Sequence, residues 1–202
     1  MADLFNEKAN DWDTKEVVLT LSTAVAATIL KNIPLNERMQ VMDFGAGTGL
    51  ISSQVAPLVE KIVAVDTSES MLNQLASKAE LQQKVEIACQ NILTNNLAKK
   101  FDLIMSAMAL HHVDDTNKLM LKFAEHLHPG GLIALADLDL EDGSFHAEGT
   151  EGIFHFGFDR HKLQCTLEDS GFVEINFVTA HTIQKEEKEY PVFLVVAKKK
   201  FS

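Results

Sequence analysis

The chain has 202 residues, 46% of them hydrophobic, and 29 acidic against 18 basic side chains give it a net charge of −11. That length suits a single domain, 1–202, rather than two. A field of that sign repels a nucleic-acid backbone unless a basic face is segregated, and the one dense basic run is Lys198-Lys199-Lys200. Nucleic acid is therefore not an expected partner, and a small molecule is.

No apolar run is long enough to span a bilayer, so no membrane partner is expected. The acidic opening MADLFNEKANDWD lacks the basic-then-apolar layout of a signal peptide. Cys89 and Cys165 form no disulfide framework, and a reducing cytoplasm is the simplest compartment. Oligomeric state is not legible at this level.

Strand-like apolar runs alternate with amphipathic stretches, which predicts an α/β domain with a mainly parallel sheet. Residues 15–31 carry Val17, Val18, Leu21, Val25 and Ile29 at helical spacing, and residues 1–34 read as an N-terminal helical cap. MQVMDFG is a first strand, and 49–58 a short helix stopped near Pro57. KIVAVD, 61–66, is a second strand, and Ser68 N-caps a helix that buries Met71, Leu72 and Leu75. KVEIAC, 84–89, is a third strand, and FDLIMSAMAL, 101–110, begins as a fourth. Residues 114–128 form a helix with Leu119, Leu121, Phe123 and Leu127 inward, and Pro129-Gly130-Gly131 is a turn before a fifth strand, 132–140. Residues 141–158, EDGSFHAEGTEGIFHFGF, have no clear period. A connection of that length reads as a lid or acceptor-side insertion. A helix from about Asp159 to Ser170, closed by Gly171, precedes FVEINFVTA and YPVFLVVAKK. These last two read as an antiparallel pair at the end of the sheet, joined by a charged segment, with Pro191 at a strand start.

The segment with the most chemical content is VMDFGAGTGLI, Val41 to Ile51. It follows the first strand, where open parallel sheets bind ligands. A dinucleotide fingerprint is G-x-G-x-x-G. Gly45 and Gly47 match it, but position 50 is Leu and the third glycine is at 49. Asp43 precedes the turn, and a carboxylate there opposes a pyrophosphate but suits an ammonium group. Asp66 ends the second strand, about 20 residues on, where a carboxylate meets ribose hydroxyls. Asn91, with the backbone N–H of Ile92, suits an adenine edge. It equally suits an N-cap of the next turn.

In these segments the chain resembles the class I S-adenosylmethionine-dependent methyltransferase family. VMDFGAGTGLIS, IVAVDTSESML, KFDLIMSAMALHHVDD and LHPGGLIALAD resemble its motifs in order, and the likeness runs over residues 5 to 197. The resemblance implies a doubly wound, seven-stranded, mostly parallel sheet with one antiparallel strand, the Rossmann-like methyltransferase fold. It also implies S-adenosylmethionine as cofactor. Asp43 would then hold the methionine ammonium through water, and Gly45, Ala46 and Gly47 would line the methionine part. Asp66 would take the ribose diol, with Thr67 flanking the adenine, and Met71 would be a further cofactor-binding residue. Asn91 and Ile92 would meet the adenine edge, although the common pattern has Asp where this chain has Asn91. Ser106 and Ala107 would wall the sulfonium side, and Phe5, Ala9 and Trp12 would fold over the cofactor.

Methyl transfer needs alignment above all, and a base only where the nucleophile must lose a proton. Among eight histidines, His111 and His112 follow the fourth strand at the pocket mouth. His146 and His155 lie in the lid, beside Phe154, Phe156 and Phe158. His111, His112 and His155 are the catalytic candidates, against structural roles for each. No metal is expected, because no His pair has helical i, i+4 spacing with a third ligand near. The SAMA segment stands where base-methylating relatives carry an Asn/Asp-Pro-Pro-aromatic tetrapeptide, so the expected acceptor is a small organic molecule. Two other readings remain at this level: an NAD(P)-dependent oxidoreductase and a non-catalytic S-adenosylmethionine-binding module.

Overall fold

A computed structural model describes residues 3–201. Its strands are β1 (Gln40–Phe44), β2 (Lys61–Asp66), β3 (Val85–Cys89), β4 (Phe101–Ala107), β5 (Leu127–Leu138), β6 (Phe172–Lys185) and β7 (Lys188–Lys199). Its α-helices are α1 (Glu16–Asn32), α2 (Leu50–Val55), α3 (Glu69–Ser77), α4 (Thr116–His126) and α5 (Arg160–Asp169). All seven strands join one sheet in the order β3-β2-β1-β4-β5-β7-β6. β1 to β5 pair in parallel, and β7 runs antiparallel between β5 and β6. This is the doubly wound, seven-stranded sheet that the sequence implies.

The apolar strands read as near-continuous runs because both faces are covered. Val41, Ile62, Ala64, Leu103 and Met105 face α1, α2 and α3 on one side. Their neighbours Met42, Val63, Val65 and Ile104 face α4 and α5 on the other. Burying each large aliphatic or aromatic side chain stabilises by roughly 1.5–3 kcal/mol. Three helices start on side-chain caps that satisfy free amides. Ser68 Oγ accepts from Met71 N–H, Asp115 from Lys118 N–H and Asp159 from Lys162 N–H. Among the described residues no helix is long and apolar enough to cross a membrane.

Some elements differ from the sequence expectation. Val17 and Leu121 are exposed, at 52% and 51%, because α1 and α4 each bury a narrower stripe than their apolar residues would cover. Leu127 is buried but belongs to β5, and Pro129-Gly130-Gly131 lies inside that strand. The register of β5 against β4 shifts there, between Phe101 and Leu103. The charged segment after residue 180 is no loop. β6 and β7 continue through it as a hairpin to the Lys185–Lys188 pair, anchored by buried Ile183 and Tyr190. Pro191 therefore sits inside β7. Its carbonyl accepts from Asp139 N–H, and in a strand the N–H and C=O of one residue point the same way. The missing N–H would have pointed to the end of β5, so the β6 ladder loses nothing.

The strand order reverses between β1 and β4, whose chain connections leave in opposite directions. That switch point opens a crevice at the carboxyl ends of the strands.

Candidate active site

The loop after β1 turns on three left-handed glycines, with φ of 67° at Gly45, 54° at Gly47 and 81° at Gly49. Their surroundings differ. A Cβ on Gly45 would lie 2.3 Å from the Cβ of Ala109, and one on Gly49 would lie 2.7 Å from Leu75 in α3. Gly49 thus lets the turn pack closely against Leu75 of α3. A Cβ on Gly47 would meet nothing within 4 Å, so that side of the turn is open. Gly45→Ala is expected to destabilise strongly, since it adds a collision to a left-handed strain of about 1–2 kcal/mol. Gly47→Ala is expected to carry only the strain in stability, yet to obstruct a ligand. Thermal melts with and without ligand separate the two outcomes.

Asp66 joins two turns at the end of β2. One oxygen accepts Gly47 N–H at 2.8 Å and the other accepts Ser68 N–H at 2.9 Å. Burial raises its pKa, and those amides oppose the rise. Asp43, at the end of β1, is 2% exposed, and Ser52 Oγ donates to it at 2.6 Å. Burial first, and then the charge of Asp66, push its pKa up to about 7, against the hydrogen bonds of Ser52. A carboxylate so buried is stabilised in its charged form by a cation. Ser106, at the end of β4, has a buried Oγ with no partner among the described residues, and Ala107 follows it at the crevice. Met108 next to them has φ of 56°, a conformation that non-glycine residues hold mostly at functional sites.

Other candidate residues sit around this centre. Thr67 is exposed beside Asp66, whereas Met71 is on the buried face of α3. Asn91 Oδ1 accepts Leu93 N–H at 2.9 Å, and its backbone carbonyl accepts Asn95 N–H at 2.9 Å. The side chain thus opens the next turn, and the oxygen that the resemblance assigns to adenine is already engaged. Ile92 is fully buried behind it.

The N-terminal segment straps the crevice. Asp3 accepts from Ser70 Oγ at 2.6 Å, and Asp13 accepts from Thr48 Oγ1 at 2.5 Å and pairs with Lys78 at 2.7 Å. Ala9, within the strap, is buried. Phe5 meets Trp12 edge-on at 6.1 Å and His112 at 5.3 Å.

The candidate histidines divide by their partners. Buried His111 places Nδ1 2.7 Å from Asp137 Oδ1. Asp137 also accepts the amides of Leu110, His111 and Leu138. His112 Nδ1 lies 2.7 Å from the carbonyl of Gly152, so it carries the ring proton. Burial and then His111 lower the His112 pKa to about 4, and burial, His111 and His112 do the same to His146. Both are neutral at pH 7. His155 Nε2 faces the carbonyls of Val113 and Asp114 at 2.9 and 3.2 Å, so it carries a proton that ties the lid down and offers no lone pair there. In the lid, Phe158 is 9% exposed but Phe154 and Phe156 are 54% and 53% exposed. The alternating phenylalanines therefore do not bury a common face. Sequence reasoning missed Asp137 as the partner of His111, and Glu141. Asp137 was visible only as a carboxylate on the fifth strand, because the pairing spans 26 residues.

The strand order and the antiparallel β7 define the Rossmann-like methyltransferase fold. A family model described as a methyltransferase domain matches residues 42–135. The chain is similar to a trans-aconitate 2-methyltransferase of Deinococcus radiodurans, at 29% identity over 85% of this chain and 70% of that protein. It is similar to a ubiquinone biosynthesis O-methyltransferase of Coxiella burnetii, at 30% identity over 67% of this chain and 60% of that one. The structure of N-methyltransferase NodS from Bradyrhizobium japonicum, in complex with S-adenosyl-L-homocysteine, shares the fold. Its TM-score is 0.73 at 16% identity, over 98% of this chain and 94% of that one. In sequence and in fold the chain resembles the class I S-adenosylmethionine-dependent methyltransferase family. It spans 49% to 70% of the length of the first three curated relatives it matches.

Proposed function

We propose that this chain binds S-adenosylmethionine and transfers its methyl group to a small organic acceptor. The observation that carries this reading is the pair of carboxylates at the ends of β1 and β2, Asp43 and Asp66, which lie close enough to act on each other's charge beside the glycine turn that Asp66 holds. One buried carboxylate suits an ammonium, the other suits a ribose diol, and neither suits a pyrophosphate. The residues fit the cofactor in other ways. The open direction at Gly47 leaves room for close backbone approach, and Ser106, which the resemblance assigns to the sulfonium side, has a buried Oγ with no partner among the described residues.

When bound, S-adenosylmethionine supplies an already activated methyl group. The chain's own residues then have to align the acceptor and exclude water. Gly45 to Gly47 and Asp43 would hold the amino-acid part, Asp66 and Thr67 would hold the nucleoside, and the strap from Asp3 to Asp13 would cover them. The similarity to a trans-aconitate 2-methyltransferase and to a ubiquinone biosynthesis O-methyltransferase supports a small organic acceptor. Two exposed free cysteines, Cys89 and Cys165, support a reducing, cytoplasmic setting.

Thermal melts test the reading. S-adenosylmethionine and S-adenosylhomocysteine, at a hundredfold excess over Kd, are expected to raise the melting temperature by about 5–10 °C. NAD should leave it unchanged. A shift with NAD and none with the adenosyl ligands would sink the proposal.

A further inference from the structure

Beyond the cofactor cradle lies a group of side chains that the reading above leaves unused. His111, His112 and His146 stack together, with ring centroids 4.2 Å apart for His111 and His112 and 5.1 Å for His111 and His146. Two buried polar atoms beside them, Oε1 of Glu141 and Nε2 of His146, have no partner among the described residues. The other oxygen of Glu141 accepts Phe145 N–H at 3.1 Å, which fixes the carboxylate in place. Leaving a buried polar group unpaired costs about 1–3 kcal/mol. A carboxylate only accepts hydrogen bonds, and a neutral imidazole offers a lone pair on one nitrogen. The group that completes the Glu141 side of this arrangement is therefore a hydrogen-bond donor, and His146 accepts from it in the tautomer that carries its proton on Nδ1.

The adjoining space and charge narrow its class. A cleft of about 480 Å³ is lined by His146, Glu148, Thr150, Ile153 and Phe156, among others. Residues 141–158 hold Glu141, Asp142, Glu148 and Glu151 and no Lys or Arg. Lys188 pairs with Asp142 at 2.7 Å, and Lys185 donates to the carbonyl of Phe145 at 2.8 Å. No cation pairs with Glu141, Glu148 or Glu151 among the described residues. Such a field draws in a cation and repels a carboxylate.

We propose that the methyl acceptor is a small amine, received as its ammonium form by Glu141 and His146 and deprotonated by Nε2 of His111, which Asp137 orients. This rests on the methyltransferase reading and names the substrate class of the same site.

An ammonium nitrogen has no free electron pair, so a proton must leave before the nitrogen can attack. His111 is built for that. Its Nδ1 donates to Asp137, which leaves the lone pair on Nε2, and Nε2 has no protein partner among the described residues. One N–H bond breaks and its proton passes to Nε2 of His111, while its electron pair stays on nitrogen. That pair forms the new N–C bond, and the pair of the broken C–S bond stays on sulfur. Two positive charges enter, on the ammonium and the sulfonium. Two remain, on the methylated ammonium and on His111, where the Asp137 carboxylate balances the second. His111 is thus the catalytic residue and Asp137 a positioning residue.

Three probes on one skeleton test the substrate class: 2-phenylethylamine, 2-phenylethanol and 3-phenylpropionate. Melts are run with and without S-adenosylhomocysteine. The amine is expected to stabilise the protein, and the acid to have no effect. Glu141→Gln should abolish the amine shift and keep the S-adenosylhomocysteine shift. An equal or larger shift from the alcohol or the acid, or an amine shift that survives Glu141→Gln, overturns the proposal. Loss of the S-adenosylhomocysteine shift in the unmodified protein counts against the methyltransferase reading instead, because the amine shift is read separately.

For the base, methyl-labelled S-adenosylmethionine is offered with primary amines, alcohols and carboxylic acids on matched alkyl and aryl skeletons. Label is expected in the amines, and His111→Gln should lower that rate about a hundredfold or more while the amine shift persists. Label in the alcohols or acids, or an unchanged rate, overturns it. Asp137→Asn should move the His111 proton from Nδ1 to Nε2, read in the imidazole nitrogen-15 spectrum. A merely structural Asp137 would leave that tautomer unchanged.

Discussion

Asp66→Ala is expected to weaken S-adenosylhomocysteine binding by roughly a hundredfold or more, since each hydrogen bond to a charged group contributes about 1.5–3 kcal/mol. The geometry explains why the loss should be large. An ionised carboxylate offers about four lone-pair sites, and the amides of Gly47 and Ser68 take two of them. The remaining two suit the neighbouring hydroxyls of a ribose. The alanine variant loses both the ribose contacts and the tie between the glycine turn and the start of α3. Asp66→Asn separates these effects, because it keeps one oxygen for an amide and gives up the charge. Isothermal titration measures the affinity, and far-ultraviolet circular dichroism checks the fold. Unchanged affinity in a folded alanine variant would show that the ribose assignment is wrong.

The second large effect is on pH. Burial has pushed Asp43 up to about 7, so much of it is protonated in the ligand-free protein at pH 6. A bound ammonium favours the charged form and releases that proton. Affinity for S-adenosylmethionine should therefore rise about tenfold per pH unit between 5 and 7. It should level off near 7 and fall once the ligand's own α-amino group loses its charge, near a pKa of about 8. Asp66 is also raised by burial, which acts in the same direction. Asp43→Asn should lower affinity at pH 7 and flatten the dependence. A profile as steep as the wild type's would remove Asp43 from the site.

Stability in the absence of ligand is linked to the same groups, with mixed sign. The raised pKa of Asp43 stabilises the fold below the usual carboxylate range, and that contribution is lost as pH rises through 7. His112 and His146, lowered to about 4, act in the opposite sense. Their contribution is present above about 6.5 and is lost as pH falls toward 4. Melting temperature alone mixes these trends, whereas the affinity profile isolates the carboxylates.

The sheet was legible because parallel strands buried on both faces leave continuous apolar runs such as KIVAVD, which corresponds residue for residue to β2. The glycine turn was legible because left-handed backbone demands glycine. The end of the β6–β7 hairpin was not. Lys185 to Glu189 contain no β-branched or aromatic residue, and backbone pairing with buried Ile183 and Tyr190 overrides their weak strand preference. The exposure of Leu121 depends on how α4 is rolled against the sheet, which periodicity alone does not fix. In the site, sequence could nominate His111, His112 and His155 but not rank them. Their difference lies in what each ring nitrogen touches: a carboxylate for His111, and loop carbonyls for the other two. Asn91 illustrates the same limit, because an Asn after a strand serves a turn as readily as a ligand.

The antiparallel β7 has a consequence for how the molecule is made. It enters the sheet between β5 and β6, which precede it in the chain. Until the ribosome has released the segment through Lys199, β5 presents an unpaired apolar edge from Leu132 to Leu138, a ready template for another nascent chain. The growing polypeptide can assemble β1 to β5 early, but its sheet closes only when this segment arrives. Chaperone dependence during synthesis should therefore concentrate on that edge.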